Sequence, residues 1–249
     1  MDMALHTDFT AKWKKYFNGA ELPMVFFYTD DIGDVRKAKT SSGHRCFISD
    51  LANVRKGTPL AFDKESVVCA GGKRYLGFSH TIMPKFEYFL SCGIPGKMEG
   101  ERYKKSPEIV QEMQKHFKEI TAPAEYIVFK RWDAVTEDDD PAVVVFFATP
   151  DVLSGLFTLT GFDEVDGNRV FTPFAAGCGS IVLHPYLECE SESPRAVIGM
   201  FDVSARPSVP KDTLSYAVPM KKFETMIENM DESFLITDSW RKVQKRIDR

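Results

Sequence analysis

The 249-residue chain has no long apolar run. Its longest stretch without a charged residue, Val170 to Leu187, contains two prolines, two glycines and a histidine. Such a stretch is not typical of a membrane-spanning helix. The start of the chain, Met1 to Phe17, is polar and charged and lacks the apolar core of a secretory signal. We therefore expect a cytoplasmic protein that has no membrane partner.

The sequence also has little excess of charge. The formal net charge is -4, and residues of both signs are interspersed. A nucleic-acid-binding surface needs clustered cations, so we expect no nucleic-acid partner. The 20 phenylalanines supply enough aromatic surface for a substantial core. We expect a single domain over residues 1–249. The sequence leaves open whether the chain forms a homo-oligomer.

Several motifs that would name a cofactor or a reaction are missing. The five cysteines, at positions 46, 69, 92, 178 and 189, form no Cys-x-x-Cys pair, and the histidines form no His-x-x-x-His pair. The chain has no Gly-x-Ser-x-Gly, no Walker loop and no dinucleotide fingerprint. The cofactor therefore stays unknown. An odd number of cysteines without an export signal predicts reduced thiols.

The most informative features that are present are two cysteines with neighbouring glycines. They are Cys69, which precedes Gly71 and Gly72, and Cys178, which stands between Gly177 and Gly179. Glycine next to a cysteine lets another backbone, or a ligand, approach the sulfur closely. These four glycines are therefore candidate ligand-binding residues.

The two cysteines stand in related settings along the chain. Each follows a β-branched and aromatic run that begins near a proline, Pro23 to Tyr28 in one case and Pro141 to Phe147 in the other. This order predicts an internal duplication into halves of residues 20–105 and 124–230, each with a small sheet and flanking helices. A duplicated fold could bring both thiols to one cleft.

Hydrophobic periodicity predicts a mixed α/β fold. The predicted helices are an opening helix with Phe9, Trp13 and Phe17, then Cys46 to Lys56, Pro84 to Leu90, one from Ser106, Thr149 to Gly161, one with Phe223 to Met230, and a terminal one with Trp240 to Ile247. The predicted strands are Pro23 to Tyr28, Val67 to Val68, Tyr126 to Trp132, Ala142 to Ala148, Ala196 to Val203 and Leu214 to Val218. Ala70 to Gly77 is predicted to be a tight loop.

Cys178 and Cys69 are the candidate catalytic residues, because a thiolate can perform nucleophilic or redox chemistry. A helix that starts after Cys178 would favour its thiolate, so we expect Cys178 to be the more reactive of the two. The alternative is that both cysteines are small apolar residues packed under tight turns.

Three cations are candidates for binding an anionic ligand. Lys73 and Arg74 lie in the glycine-rich stretch, which could cradle an anion or could be a plain turn. Arg206 stands before a proline, where it could bind a carboxylate or phosphate, pair with Asp202, or cap a loop.

A weaker alternative is a metal site. Cys69 with His80, and Cys178 with His184, would supply two sulfurs and two nitrogens, which suit zinc. Their spacings are not those of known zinc motifs, so we expect no metal.

Four parts of the sequence resemble a known family. They are Val68-Cys69-Ala70-Gly71-Gly72 with Leu76-Gly77-Phe78, Tyr126 to Lys130, the Cys178 region, and Asp202 to Arg206 followed by the strand that ends at Pro219. In these parts the chain resembles the uncharacterised domain-of-unknown-function family 169, an archaeal conserved protein family. The resemblance covers the chain from about Pro23 to Met230 and implies a mixed α/β fold without an established activity. The family usually has a proline shortly after the lysine that matches Lys130, whereas this chain has Arg131-Trp132.

Three classes of function stay open. The first is a cytosolic protein that binds a small anionic or redox-active ligand in a cleft near the two glycine-flanked cysteines. The second is a thiol- or metal-dependent enzyme that acts on a small molecule. The third is a structural or oligomerising module. A thiol of lowered pKa would favour the second class, and a ligand retained through purification would favour the first.

Overall fold

In the computed structural model, which describes residues 1–40, 43 and 45–247, helices and strands are interspersed along the chain. The strands are β1 (Met24–Thr29), β2 (Leu60–Phe62), β3 (Tyr126–Arg131), β4 (Val143–Ala148), β5 (Val170–Phe171), β6 (Ala196–Gly199) and β7 (Leu214–Pro219). The helices are α1 (Met3–Tyr16), α2 (Phe47–Arg55), α3 (Ala70–Tyr75), α4 (Phe86–Phe89), α5 (Pro107–Gln114), α6 (Pro150–Thr160), α7 (His184–Glu188), α8 (Met220–Asn229) and α9 (Asp238–Ile247). The mixed α/β class expected from the sequence is confirmed.

The strands of the described residues form one seven-stranded sheet in the order β2-β3-β1-β4-β7-β6-β5. β1 lies near the centre and pairs antiparallel with both β3 and β4. β5 and β6 pair in parallel, whereas the other neighbouring strands pair antiparallel.

Both faces of the central strands are buried, which explains their continuous apolar sequences. In β4, Val143 and Val145 belong to the core on one face of the sheet, and Val144 and Phe146 belong to the core on the other. The alternation follows from the period of two residues in a strand. We call the side that holds Val143 the first face and the side that holds Val144 the second face.

The two faces are covered by different helices. Buried residues of α2 and of the π-helical segment Gly179–Leu183 pack on the first face. Buried residues of α1, α6, α8 and α9 pack on the second face. The cysteines discussed below lie on the first face. Among the described residues, no helix has the length and apolar character that a membrane crossing requires.

Two local predictions before α3 are wrong. Val67 and Val68 form no strand, because the chain turns after β2: Ser66 N–H donates to Asp63 Oδ1 at 2.8 Å, and Asp63 N–H donates to Ser66 Oγ at 2.9 Å. The expected loop from Ala70 to Gly77 is instead helix α3, which begins with the hydrogen bond from Lys73 N–H to Cys69 O at 2.9 Å.

β6 is shorter than predicted. It ends at Gly199 instead of Val203, because Met200 has a φ of 68° and leaves the extended conformation. A left-handed backbone conformation is unfavourable for a residue with a side chain. The surrounding structure therefore holds Met200 in a strained backbone conformation.

The predicted halves share one sheet. β1 and β2 come from residues 20–105, and the other five described strands come from residues 124–230. However, α2 and α6 cover opposite faces, and β3 from residues 124–230 lies between β1 and β2. The division into residues 20–105 and 124–230 stays a prediction.

Candidate thiol site

Cys69 and Cys178 lie on the same face of the sheet. Cys69 is the residue that caps the start of α3, and Cys178 directly precedes the π-helical segment Gly179–Leu183. Cys178 is 8% exposed and belongs to the core of the first face, whereas Cys69 is half-buried. The two thiols are close enough that negative charge on Cys69 raises the pKa of Cys178.

A third cysteine, which the sequence did not single out, joins them. Cys46 caps the start of α2, is half-buried, and packs against the same core. Burial raises the pKa of its thiol, and the charges of Cys69 and Asp202 raise it further. We call Cys46, Cys69 and Cys178 the thiol cluster. The one signal that could have found Cys46 is its position at the start of the helix predicted from Cys46 to Lys56.

The expected lowering of the Cys178 pKa is wrong. Burial raises that pKa well above its ordinary value, and nearby charges at Cys69, Cys46 and Asp202 act in the same direction. The cause is that removal from water disfavours the charged thiolate. Cys69 is also the more exposed of the two thiols, so a reagent in solution reaches it more easily than Cys178.

The ring of Tyr75 connects the two glycine-flanked cysteines. A Cβ on Gly71 would lie 3.7 Å from one edge of the ring, and a Cβ on Gly179 would lie 3.2 Å from another. Glycine at position 179 therefore gives the ring room to approach, whereas a Cβ at Gly71 would make an ordinary contact with it. Burial raises the pKa of Tyr75 to about 12, so its hydroxyl is neutral at physiological pH.

The other two candidate glycines also face protein side chains. A Cβ on Gly72 would lie 2.9 Å from Val67 Cγ1, and a Cβ on Gly177 would lie 2.9 Å from the Met200 sulfur. These glycines thus allow close packing around the thiol cluster.

The loop after β6 is attached to the helix start at Cys178. Asp202 accepts a hydrogen bond from Gly177 N–H at 3.1 Å and one from the Ser204 hydroxyl at 2.8 Å. Ser180 donates to Gly177 O at 2.9 Å and accepts from Met200 N–H at 3.3 Å. The carboxylate of Asp202 is thereby held beside the thiol cluster.

Of the three candidate cations, Arg74 and Arg206 are engaged with other groups. Arg74 donates to His80 O at 2.7 Å and pairs with Glu119 at 3.2 Å. Lys73 is half-buried one helical turn after Cys69 and forms no ion pair with the described residues. It is the candidate cation that stays available near the cluster.

Arg206 organises its own loop. Its guanidinium donates to the carbonyls of Thr213 at 2.5 Å, Lys211 at 2.8 Å, Pro210 at 3.3 Å and Met200 at 3.4 Å. Of the three roles considered from the sequence, this geometry corresponds to the capping of a loop.

A comparison with protein-family models gives a match over residues 15–229, to a family described as uncharacterised ArCR proteins. The chain belongs to the DUF169 family. The match includes all three members of the thiol cluster. No curated protein and no solved structure matches the chain.

The departure from the usual DUF169 pattern after Lys130 has a local structural role. β3 ends at Arg131, which pairs with Asp133 at 2.7 Å, and a short 3-10 turn follows over Trp132–Ala134. Trp132 is buried and its indole N–H donates to Thr10 at 3.1 Å. The turn in this DUF169 member is therefore fixed by packing against α1.

The two histidines of the weaker metal hypothesis lie in other surroundings. His80 is half exposed, beside Thr121 at 3.1 Å and Glu119 at 3.5 Å. His184 stands edge-on to Phe171 with the ring centres 6.3 Å apart, and burial lowers its pKa. Within the part of this DUF169 chain that the structure describes, no three His, Cys, Asp or Glu side chains are arranged to hold a metal ion.

Proposed function

We propose that this protein is a cytoplasmic protein that binds a small redox-active ligand at the thiol cluster. The observation that carries the proposal is the convergence of Cys46, Cys69 and Cys178 from three distant parts of the chain onto one face of the sheet. Thiols can exchange electrons with small molecules through thiol–disulfide exchange, which needs no bound metal.

The backbone next to Cys178 supports a functional role for this region. A π-helical segment, Gly179–Leu183, follows the cysteine directly. Such segments are rare and occur frequently at functional sites. The left-handed backbone of Met200, whose sulfur faces Gly177, adds a second unusual conformation beside the cluster.

The charges near the cluster favour a redox-active ligand over an anionic one. Asp202 brings a carboxylate, while Arg74 and Arg206 are engaged with other groups. Lys73 is the one candidate cation whose side chain makes neither an ion pair nor a hydrogen bond with the described residues. One cation beside one carboxylate provides little net attraction for an anion.

The proposal is tested by purification without oxygen. The absorption spectrum of the protein is recorded, and small molecules released by denaturation are identified by mass spectrometry. We expect a redox-active molecule in the wild-type protein and its loss from the Cys69→Ala and Cys178→Ala variants.

Cys92→Ala is the matched control, because Cys92 is an exposed cysteine outside the cluster. It should retain the same amount of the molecule as the wild type. A wild-type protein that carries no such molecule, or equal retention in Cys69→Ala, would contradict the proposal.

A further inference from the structure

Cys46 and Cys69 occupy nearly identical local settings. Each is the residue before the first turn of a helix, with φ and ψ of -71° and 128° at Cys46 and -72° and 125° at Cys69. Both are half-buried, whereas Cys178 is buried. Two members of the thiol cluster are therefore open to a small reagent and the third is shielded.

The two helix starts are in contact. A Cβ on Gly72 would lie 3.6 Å from the Cβ of Cys69 and 3.7 Å from the Cβ of Phe47, the residue that follows Cys46. The first turn of α3 thus packs directly against the first residue of α2. This contact brings together the two helix starts that carry the half-buried cysteines.

Two adjacent, accessible thiols can reduce a disulfide without a metal or a further cofactor. We propose that the thiol cluster reduces low-molecular-weight disulfides, with Cys69 as the attacking thiol and Cys46 as the resolving thiol. This inference rests on the proposed function and names the chemical class of its ligand.

The reaction consists of two exchanges. The Cys69 thiolate attacks one sulfur of the substrate disulfide, the substrate S–S bond breaks, and one substrate thiolate leaves. The Cys46 thiolate then attacks the sulfur of Cys69, so the second substrate thiolate leaves and a Cys46–Cys69 disulfide forms. The protein loses two electrons and two thiol protons, and the substrate gains them as two thiols.

The surroundings explain the order of attack. Burial and two neighbouring negative charges raise the pKa of Cys46, so its thiol is mostly protonated until the mixed disulfide brings a reaction partner to it. Cys69 has Lys73 one turn further along the same side of α3. The negative charge of Asp202 favours an uncharged disulfide over an anionic one.

The test uses the reduced full-length protein in a Cys92→Ser background, which removes the exposed cysteine. Bis(2-hydroxyethyl) disulfide, an uncharged probe, is added without oxygen. Samples are quenched with acid and alkylated, and the cysteine linkages are mapped by peptide mass spectrometry. We expect a Cys46–Cys69 disulfide and release of two thiols for each disulfide formed.

Single variants separate the two roles. Cys46→Ser should accumulate the mixed disulfide on Cys69, and Cys69→Ser should slow thiol release at least ~10-fold. Cys189→Ser is the matched control, because Cys189 is half-buried on the same protein but hydrogen-bonds to Ala142 O, away from the cluster. It should react as the background protein does.

Absence of a Cys46–Cys69 disulfide, or equal reactivity of the Cys69→Ser variant, would overturn the inference. Circular dichroism confirms that each variant is folded, and if Cys46→Ser is unstable, the mixed disulfide on Cys69 is sought in early acid-quenched samples of the Cys92→Ser protein. Retention of a ligand that depends on Cys69, without any disulfide exchange, would leave the proposed function standing and remove only this inference.

Discussion

The ring of Tyr75 lies against Gly179, 3.2 Å from the position that a Cβ there would occupy. The same ring reaches Gly71, so one tyrosine joins the segments that carry Cys69 and Cys178. Gly179, next to Cys178, thus leaves room for the approach of an aromatic side chain.

Replacing Tyr75 by alanine should therefore loosen the contact between the two segments. We expect Tyr75→Ala to lower the free energy of unfolding by about 2–4 kcal/mol, because a large partly buried ring is lost. Urea unfolding measures the change. Tyr75→Phe is the control and should remain within about 1 kcal/mol of the wild type, because no hydrogen bond from the Tyr75 hydroxyl is found among the described residues. Equal stability of the alanine and phenylalanine variants would contradict this role.

The close contact between β6 and the π-helical segment gives a second prediction. A Cβ on Gly199 would overlap the side chain of Ser180, which is buried and bonded on two sides. Gly199→Ala should destabilise the protein by about 1–3 kcal/mol through overpacking. Gly167→Ala, where a Cβ meets open space, should change the stability by less than about 0.5 kcal/mol. Thermal unfolding of both variants checks the contrast, and similar losses in both would refute it.

Arg206 is expected to act on its loop and not on a ligand. Arg206→Met removes donors to four backbone carbonyls and should cost about 2–3 kcal/mol of stability. Arg206→Lys should recover part of this, because an ammonium reaches fewer of the carbonyls. Hydrogen exchange should rise in residues 200–213 of the methionine variant. Unchanged exchange in that loop, combined with lost ligand retention, would favour anion binding instead.

The buried thiol of Cys178 should make stability depend on alkaline pH. Its pKa is raised in the folded protein above the ordinary value of 9.0, so the unfolded chain loses this proton first. The contribution of the neutral thiol is complete below about pH 9 and is lost above it, by up to about 1.4 kcal/mol per pH unit.

Urea unfolding at about pH 7 and about pH 10 measures this effect. The stability of the wild type should fall more between these values than that of Cys178→Ala. Cys92→Ala, which removes an exposed thiol, should follow the wild type. A parallel decline in wild type and Cys178→Ala would mean that the thiol is not shielded in solution.

The central strands were predictable because their residues are apolar on both faces. The predictions of Pro23 to Tyr28 and Ala142 to Ala148 agree with β1 and β4 to within one residue at each end. The stretch from Ala70 to Gly77 was not predictable in this way. Glycine disfavours a helix by propensity, yet packing of α3 against Val67 and Phe47 overrides that preference.

The shared sequence setting singled out Cys69 and Cys178, but it did not single out the third member of the cluster. Cys46 has no flanking glycine, and its nearness to Cys69 arises from the contact between two helix starts. The expected reactivity of Cys178 failed for a related reason. A helix start favours a thiolate, but sequence does not reveal that the same position is buried in a core.

A trivalent arsenical bridges neighbouring thiols, so its binding reports whether the three cysteines of the thiol cluster form one site. The reduced Cys92→Ser protein is incubated with phenylarsine oxide and analysed by intact mass spectrometry and thiol counting. We expect one tightly bound arsenic that protects at least two thiols from alkylation, and loss of this binding in Cys69→Ala. Binding that is unchanged in Cys69→Ala, or that appears only after denaturation, would contradict this expectation.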